Sequence, residues 1–504
     1  MSVRARGGAA DQTIGSWTVA PNTVRVLGDI LSDLPNVQIR GDADASVSGV
    51  CYRSDDARPG ALFFCVPGSA TDGHAFAADA VERGAVALVV DRWLEAEAAQ
   101  ALVPNVREAM GPVSAAFYGR PADRMTVAGV TGTNGKTTTT YLLEAIFRAD
   151  GRRPGVIGTT GVRIDGRPEP FPRTTPEAPD LHRLFAEMAR HGVDAVAMEV
   201  SSHGLDQHRV DGVRYAAAVF TNLSQDHLDY HRSMEEYLLA KARLFTPAMS
   251  ERAVVNLDSD EGRRLAVTGL PTITYGVAAD ADVRATDVEA TTDGISFRVD
   301  GLSIRSALRG SFNVENCLAA FATARLLGIE DRVAAEAISD VRGVPGRVET
   351  VEAGQPFLVM VDYAHTPDSV ENVLRAARPL AKGRLIVVFG CGGDRDRAKR
   401  PRMGFAATSN ADLSILTSDN PRSEDPLAII VEVMPGAEEG GGRFVVEPDR
   451  RAAIRLAMTQ AAPGDVVVIA GKGHETYQEL ADRTIPFDDR TVAAEELRSI
   501  MATS

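Results

Sequence analysis

A glycine-rich turn, Gly132-Thr133-Asn134-Gly135-Lys136-Thr137, lies between an apolar run and a stretch with helical character. Residues 127–130 precede the turn and residues 141–147 follow it, which predicts a strand, a loop and then a helix. In that context backbone N–H groups surround a polyphosphate, the lysine reaches its terminal phosphates, and the threonine hydroxyl binds Mg2+. Val130 stands where the common pattern has glycine, and Gly132 follows it instead. The sequence therefore predicts a nucleotide site with a variant phosphate loop.

Two further apolar runs downstream of this loop are predicted to be strands that end in acidic and histidine residues. Glu199 and His227 are placed to help bind Mg2+, because ligands bind at the carboxyl ends of parallel strands. One alternative is that they cap helices or satisfy buried donors. A second alternative is a hydrolase with a transition metal on His227, Asp229 and His231. The phosphate loop upstream favours the hard cation.

The last third of the chain contains four apolar runs, each predicted to be a strand that leads into a polar loop. The four loops cover residues 362–367, 390–397, 417–422 and 471–475. Helical stretches separate the strands, so the sheet should be largely parallel with all four loops at one edge. That edge carries Arg, Asp, Asn and Glu, which suits a zwitterionic or multiply charged ligand. Residues 394–402 include five basic residues, but their two acids and the acidic chain favour a ligand loop over a nucleic-acid site.

Composition narrows the class of protein. The chain has 504 residues, 44% of them hydrophobic and 24% charged, with a net charge of −15. Such a surface repels nucleic acid and anionic membranes. The four cysteines are far apart and lack CxxC spacing, which disfavours a disulfide framework or a zinc site. No apolar run approaches the ~18 residues needed to span a bilayer. We expect a cytoplasmic protein.

The length predicts about three domains. We expect a frayed tail over residues 1–21, an α/β domain over 22–124, a central domain over 125–345 and a third α/β domain over 346–504. A helix is predicted over residues 24–31. Lys241 lies in a helical stretch, 234–245, and the local pattern predicts a solvent-exposed lysine there.

Six motifs in this order resemble the Mur ligase family, which builds the peptide stem of the bacterial cell wall, and the resemblance extends from about residue 50 to 490. They are Thr-Gly-Thr-Asn-Gly-Lys-Thr at 131–137, Glu-Val-Ser-Ser-His-Gly-Leu at 199–205, Thr-Asn-Leu-Ser-Gln-Asp-His-Leu-Asp at 221–229, Asp-Tyr-Ala-His-Thr-Pro at 362–367, Gly-Asp-Arg-Asp at 393–396 and Gly-Lys-Gly-His-Glu at 471–475. The resemblance implies an N-terminal α/β UDP-binding domain, a central P-loop ATPase-type domain with a mostly parallel sheet, and a C-terminal Rossmann-like α/β domain.

The resemblance also implies an activity. Within the family the chain is similar to the ATP-dependent ligases that add the third stem residue to UDP-N-acetylmuramoyl-L-alanyl-D-glutamate through an acyl phosphate. Asp419-Asn420-Pro421-Arg422 is typical of those that take meso-diaminopimelate. ATP and Mg2+ would be required, the enzyme would act as a monomer, and neither nucleic acid nor membrane insertion is expected. The alternatives are a lysine-adding relative, a folylpolyglutamate synthase, and a nucleotide-dependent switch protein without ligase activity.

The resemblance assigns roles residue by residue. The ATP contacts would be Thr131, Gly132, Thr133, Asn134, Gly135, Lys136, Thr137, Thr138, Asn313, Asn316, Arg347 and Asp362. The Mg2+ ligands would be Thr137, Glu199, His227 and a carbamylated Lys241, and the catalytic residues Lys136, Glu199, His227 and Lys241. The UDP-precursor contacts would be Ser54, Ser69, Ala70, Thr71, Thr174, Thr175, Ser201, Gln207 and Arg209. The diaminopimelate contacts would be Arg395, Asp419, Asn420, Pro421, Arg422, Gly471 and Glu475.

Overall fold

The computed structural model describes residues 23–68, 71–169, 171, 173–291 and 293–503. The tail predicted over 1–21 lies outside this part of the chain. Three α/β domains follow one another, each built on its own mainly parallel sheet, which confirms the predicted fold class. Their boundaries near residues 124 and 345 stay predictions.

The first domain has a five-stranded sheet in the order β2-β7-β6-β5-β4, with β2 antiparallel to its neighbour. Its strands are Arg25–Val26 (β1), Gln38–Arg40 (β2), Ser46–Val47 (β3), Gly49–Cys51 (β4), Ala61–Phe64 (β5), Ala85–Val90 (β6) and Ala99–Leu102 (β7), and its helices are Leu27–Leu31 (α1), Ala77–Glu82 (α2) and Val106–Tyr118 (α3). The helix predicted from residue 24 was wrong at its start. Arg25 and Val26 pair with Val47 and Ser46, and the helix begins only at Leu27.

The central domain contains a nine-stranded sheet and a separate three-stranded antiparallel sheet. Its strands are Thr126–Thr131 (β8), Pro154–Gly158 (β9), Gly161–Ile164 (β10), Arg167–Glu169 (β11), Ala195–Glu199 (β12), Ala217–Phe220 (β13), Ala253–Asn256 (β14), Thr272–Gly276 (β15), Val283–Arg284 (β16), Thr286–Thr291 (β17), Gly294–Val299 (β18) and Leu302–Ser306 (β19). Its helices are Lys136–Ala149 (α4), Ala178–Arg190 (α5), Ser202–Asp206 (α6), Met234–Ala242 (α7), Asp260–Leu265 (α8), Phe312–Leu326 (α9) and Asp331–Asp340 (α10).

Strand β8 lies in the middle of the nine-stranded sheet, in the order β11-β10-β9-β12-β8-β13-β14-β15-β16. It pairs in parallel with β12 on one side and β13 on the other. All but its first residue are buried, as expected for a parallel strand covered on both faces. Consequently the carboxyl ends of β12 and β13 flank the phosphate loop.

The third domain has a six-stranded sheet in the order β20-β21-β25-β22-β23-β24, parallel apart from β20. Its strands are Glu349–Thr350 (β20), Leu358–Asp362 (β21), Leu385–Phe389 (β22), Leu413–Leu416 (β23), Arg443–Val446 (β24), Val466–Ala470 (β25), Tyr477–Glu479 (β26) and Thr484–Pro486 (β27). Its helices are Pro367–Ala377 (α11), Lys399–Asn410 (α12), Pro426–Glu439 (α13), Arg450–Gln460 (α14) and Asp489–Thr503 (α15). The four predicted polar loops leave β21, β22, β23 and β25 at one edge of this sheet.

Within the described ranges, no helix combines the length and the apolar character that a membrane crossing requires.

Candidate active site

The phosphate loop connects the end of β8 to the start of α4 and packs against the segment that follows β13. A Cβ atom on Gly132, which has φ +149°, would lie 1.9 Å from the Thr221 hydroxyl oxygen. The Thr221 hydroxyl donates a hydrogen bond to the Asn134 carbonyl at 2.6 Å. The Asn134 N–H in turn donates to Asn222 Oδ1 at 2.9 Å. The loop therefore needs glycine at 132 because a neighbouring segment holds it closely.

Lys136, the first residue of α4, folds back over the loop. Its Nζ donates to the carbonyl oxygens of Gly132 at 2.9 Å and Thr133 at 2.8 Å. Burial lowers the pKa of Lys136, and the nearby Glu199 carboxylate opposes that effect. A bound phosphate would favour the charged ammonium form in the same way. Thr138 is buried in the first turn of α4.

Glu199 and His227 line the same cavity as the phosphate loop, with a volume of about 140 Å³. Glu199, at the end of β12, is 1% exposed, and its carboxylate accepts hydrogen bonds from the Thr159 backbone N–H and hydroxyl, both at 2.9 Å. His227 lies 3.3 Å from the Asp226 carboxylate. Burial lowers the pKa of His227, so its ring is neutral and able to bind a cation.

Lys241 lies in α7 and is 1% exposed, so the prediction of a solvated lysine from its local pattern was wrong. Its Nζ donates to the Gly132 carbonyl at 3.0 Å and lies 4.4 Å from the centre of the Tyr237 ring. Burial, together with the positive charge of Lys136, holds the pKa of Lys241 well below its usual range. The tertiary packing of α7 on the phosphate loop thus converts a helical lysine into a buried amine within the cavity.

Arg347 approaches the phosphate loop from the start of the third domain. Its Nη2 donates to the Thr137 hydroxyl at 2.9 Å, and its guanidinium lies 4.8 Å from the centre of the Tyr363 ring. Among the described residues, its buried Nε has no hydrogen-bond partner. Asp362 accepts from the Val348 N–H at 2.8 Å, which holds the segment that carries Arg347. A buried, unpaired guanidinium N–H beside a phosphate loop is suited to a phosphate oxygen.

Asn313 and Asn316 bring the first turns of α9 to the other side of the loop. The Asn316 amide donates to Asn313 Oδ1 at 2.8 Å, and the Asn313 amide donates to the Arg309 carbonyl at 2.7 Å. A Cβ on Gly135 would lie 2.2 Å from Asn316 Oδ1. The structure therefore places Asn316 directly against the phosphate loop.

Five of the residues assigned to the UDP precursor form one group beside Glu199. The Thr175 hydroxyl donates to the Glu199 carbonyl and accepts from the Ser201 N–H, both at 3.0 Å. Thr174 and Thr159 hydroxyls lie 3.1 Å apart. The remaining two, Gln207 and Arg209, are joined by a hydrogen bond from the Arg209 guanidinium to the Gln207 amide oxygen.

The other residues assigned to the precursor belong to the first domain. A hydrogen bond from the Ser54 side chain lowers the pKa of Asp79. Thr71 is exposed, and its carbonyl accepts from the Gly68 N–H at 3.0 Å. Ser69 and Ala70 lie outside the described residues. The residues assigned to the UDP precursor are thus divided between the first domain and the group around Glu199.

The loops after β23 and β25 meet at the edge of the third domain. Asn420 donates from its amide to Glu475 Oε2 at 2.9 Å. A Cβ on Gly471 would lie 2.5 Å from Asp419 Oδ2, so these two loops are in close contact. Lys472, to which the sequence assigned no role although it lies inside a recognised motif, is buried between them. Gly471 and Glu475 of the same motif were assigned to the amino-acid substrate, and their position on either side of Lys472 was the sequence signal for a role of this lysine.

Arg422 and Arg395 are placed differently. Arg422 donates from Nε to Glu479 at 2.9 Å and from Nη1 to the Gly393 carbonyl at 2.7 Å. Pro421 precedes it, and a Cβ on Gly393 would lie 1.9 Å from the Pro421 carbonyl oxygen. Arg395 is exposed and donates within its own loop to the Asp394 carbonyl at 3.1 Å. Arg422, in the loop after β23, is therefore fixed against strand β26 and the loop after β22. Arg395 lies on the exposed side of the loop after β22.

A hydrolase centre on His227, Asp229 and His231 lacks support in the described part of the chain, where no group of three His, Cys, Asp or Glu side chains is placed to hold a metal. His231 instead lies with its Nε2 3.0 Å from the Ser202 hydroxyl. Among the groups that line the cavity, those assigned to the cation are the Glu199 carboxylate, the His227 imidazole and the Thr137 hydroxyl. That small set fits Mg2+, which is commonly held by one or two protein groups and by substrate phosphates.

The fold and this site define a nucleotide-dependent enzyme of three α/β domains, and comparisons with known proteins identify its family. Residues 46–118 match the Mur ligase family catalytic domain, 130–324 the Mur ligase middle domain, and 346–473 the Mur ligase glutamate ligase domain. The UDP-N-acetylmuramoyl-L-alanyl-D-glutamate--2,6-diaminopimelate ligase of Geobacillus thermodenitrificans is 49% identical over 93% of this chain and 98% of its own length. The chain belongs to the Mur ligase family and is an ATP-dependent ligase.

Two solved structures show how far the fold extends. A UDP-N-acetylmuramoyl-L-alanyl-D-glutamate--2,6-diaminopimelate ligase superimposes with a TM-score of 0.67 at 32% identity, covering 95% of this chain and 99% of its own. The MurF ligase of Thermotoga maritima in complex with ADP gives a TM-score of 0.61 at 18% identity, covering 90% and 97%. The first supports the family and the second the fold alone.

Proposed function

We propose that this protein joins meso-diaminopimelate to the D-glutamate γ-carboxylate of UDP-N-acetylmuramoyl-L-alanyl-D-glutamate, with ATP as the energy source, in peptidoglycan precursor synthesis. The observation that carries the proposal is the meeting of Asn420, Arg422 and Glu475 at one edge of the third domain, on a chain that also holds Arg347 against the phosphate loop. The names of relatives at 44–49% identity agree with it.

Diaminopimelate differs from lysine by one carboxylate at its distal centre. Arg422 supplies a guanidinium, which is the side chain best suited to grip a carboxylate with two hydrogen bonds. Glu475 supplies a carboxylate for the distal ammonium group. An analogue that lacks the distal carboxylate leaves the guanidinium unpaired. A site built around that charged group therefore rejects such an analogue strongly.

The reaction proceeds in two steps on the substrate. The γ-carboxylate of D-glutamate attacks the terminal phosphorus of ATP, which gives an acyl phosphate and ADP. The amine of diaminopimelate then attacks the acyl carbon, phosphate leaves, and the amine loses a proton. Lys136 and Arg347, which both line the cavity of the phosphate loop, are the groups that stabilise negative charge on the transferring phosphoryl group.

Mg2+, held by Glu199, His227, Thr137 and a carbamylated Lys241, would supply charge neutralisation at the phosphates. The low pKa of Lys241 supports this assignment, because only the neutral amine reacts with carbon dioxide. Carbon-13 NMR of protein equilibrated with labelled bicarbonate tests it. A carbamate signal present in the wild type and absent in Lys241→Arg is expected, and its absence from the wild type would contradict the assignment.

We further propose that the domains span residues 22–124, 125–345 and 346–504, and that the enzyme works as a monomer in the cytoplasm. The separation of the three sheets supports the domain bounds, and the four free, buried cysteines support a reducing compartment.

A product assay tests the main proposal. The purified protein receives ATP, Mg2+ and the UDP-linked dipeptide with meso-diaminopimelate, with L-lysine or with no amino acid, and ADP and the tripeptide are measured. ADP release should require an amino acid, and diaminopimelate should be preferred over lysine by about 10⁴-fold in kcat/KM. Equal ADP release without an amino acid would exclude a ligase, and a preference for lysine would exclude the stated specificity.

A further inference from the structure

Lys472 is a buried cation between two residues proposed to bind the amino-acid substrate. Its side chain is 0% exposed. Its Nζ donates to Asn420 Oδ1 and to Glu475 Oε2, each at 2.9 Å. It also lies 5.5 Å from the centre of the Tyr477 ring. Because the lysine has no exposed surface, it reaches a ligand only through the two side chains that it holds.

These bonds orient the amide of Asn420. Its Oδ1 accepts from Lys472 and from the Glu479 N–H at 3.0 Å, so the amide NH2 must face Glu475. The Glu475 carboxylate accepts both protein bonds at Oε2. Within the described residues, no hydrogen bond reaches its Oε1. One carboxylate oxygen is thus fixed by the protein, and the other is available to a ligand.

We propose that Lys472 is a positioning residue for the amino-acid substrate, which holds Glu475 and Asn420 in the orientation that receives the distal ammonium group. This inference rests on the proposed function. It assigns to Lys472 the role of holding together the loops after β23 and β25, which carry Asn420 and Glu475. Lys472 does not line the cavity of the phosphate loop.

The charge on Glu475 depends on this arrangement. Burial raises the pKa of Glu475, Lys472 lowers it, and Asp419 raises it. The charged and titratable groups that face Glu475 are Lys472, Asp419, Arg450, Tyr363 and Tyr477. Removal of Lys472 raises the pKa of Glu475 further, so a higher pH is needed to ionise the carboxylate.

The test is Lys472→Met, which keeps the length of the side chain and removes its charge. The KM for diaminopimelate should rise about 10-fold or more, the scale of a lost hydrogen bond to a charged group. The acidic limb of kcat/KM for diaminopimelate should move to higher pH, while the KM values for ATP and the UDP-linked dipeptide stay within about 2-fold. Lys382→Met, at an exposed position of the same domain, is the matched control.

Glu475→Gln decides whether Lys472 acts through Glu475. If it does, the loss of kcat/KM in the double variant should be no larger than the loss in the more impaired single variant. The acidic limb of its pH profile should also be gone. Strictly additive losses, or an unchanged pH profile in Lys472→Met, would overturn the inference. A wild-type enzyme that does not use diaminopimelate at all would instead overturn the proposed function, so the two failures are distinguishable.

Discussion

Arg422 has an unusual backbone conformation for a residue that is not glycine, with φ +51°. This left-handed region costs about 1 kcal/mol or more for such residues, and it concentrates at functional sites. Its own N–H donates to the Glu479 carbonyl at 3.0 Å, and its side chain bonds Glu479 and the Gly393 carbonyl. Neighbouring loops therefore hold Arg422 in place before a substrate arrives.

Arg422→Lys should raise the KM for diaminopimelate by about 10-fold or more, since lysine cannot form the two parallel bonds to a carboxylate. The preference for diaminopimelate over lysine should fall with it, because only diaminopimelate carries the distal carboxylate. Steady-state kinetics with both amino acids measures this. Arg397→Lys, which alters an exposed ion pair with Glu432, is the control. An unchanged preference would contradict the role of Arg422.

At the scale of elements, the conformation of the loop between β8 and α4 depends on the segments that pack against it. Gly132 lies against Thr221, which follows β13, and Gly135 lies against Asn316 in α9. The loop is thus shaped by two segments that are far away in the sequence. Its glycine content reflects this packing as well as the approach of a phosphate.

Gly132→Ala should weaken ATP binding by about 10-fold or more, because the added methyl group would overlap the Thr221 hydroxyl and the backbone would have to move. Titration calorimetry with a non-hydrolysable ATP analogue measures the affinity. Gly343→Ala is the matched control, since a Cβ there has no neighbour within 4 Å. Equal affinities in the two variants would show that the loop tolerates the displacement.

At the scale of the whole molecule, the first and central domains pack through α3 and α5. A Cβ on Gly111 of α3 would lie 2.1 Å from the Asp211 carbonyl oxygen. His182 of α5 is fully buried at the same place, with its Nε2 3.1 Å from that carbonyl. Burial lowers the pKa of His182 to about 4. The joint between the two domains therefore contains a neutral histidine.

Acid should weaken this joint. The unfolded chain binds a proton on His182 near pH 6.5, whereas the folded chain resists it until about pH 4, so stability falls as the pH drops through this window. The loss should be about 2 kcal/mol between pH 7 and pH 5. His182→Gln keeps a donor for the Asp211 carbonyl but does not titrate, so its apparent Tm should fall less over that range. Parallel Tm shifts in both proteins would contradict the assignment.

Regular elements with continuous apolar runs were predictable from the sequence. The strands Leu385–Phe389 and Val466–Ala470 end where the predicted loops 390–397 and 471–475 begin, because buried parallel strands leave a strong local pattern. The start of the first helix was wrong because Val26 is used in pairing with Ser46, a contact that periodicity does not report. The antiparallel sheet of β17, β18 and β19 was not predicted.

The sequence by itself determined the family, the three-domain α/β architecture and the phosphate loop, because motifs and apolar runs are local in the chain. Only the tertiary structure showed that Lys241 and Lys472 are buried, since each is enclosed by segments distant in sequence. It also placed Arg347 on Thr137, 210 residues away. Burial and charge pairing arise from the packing of whole elements, which no local pattern records, and they decide which of the predicted residues share one cavity.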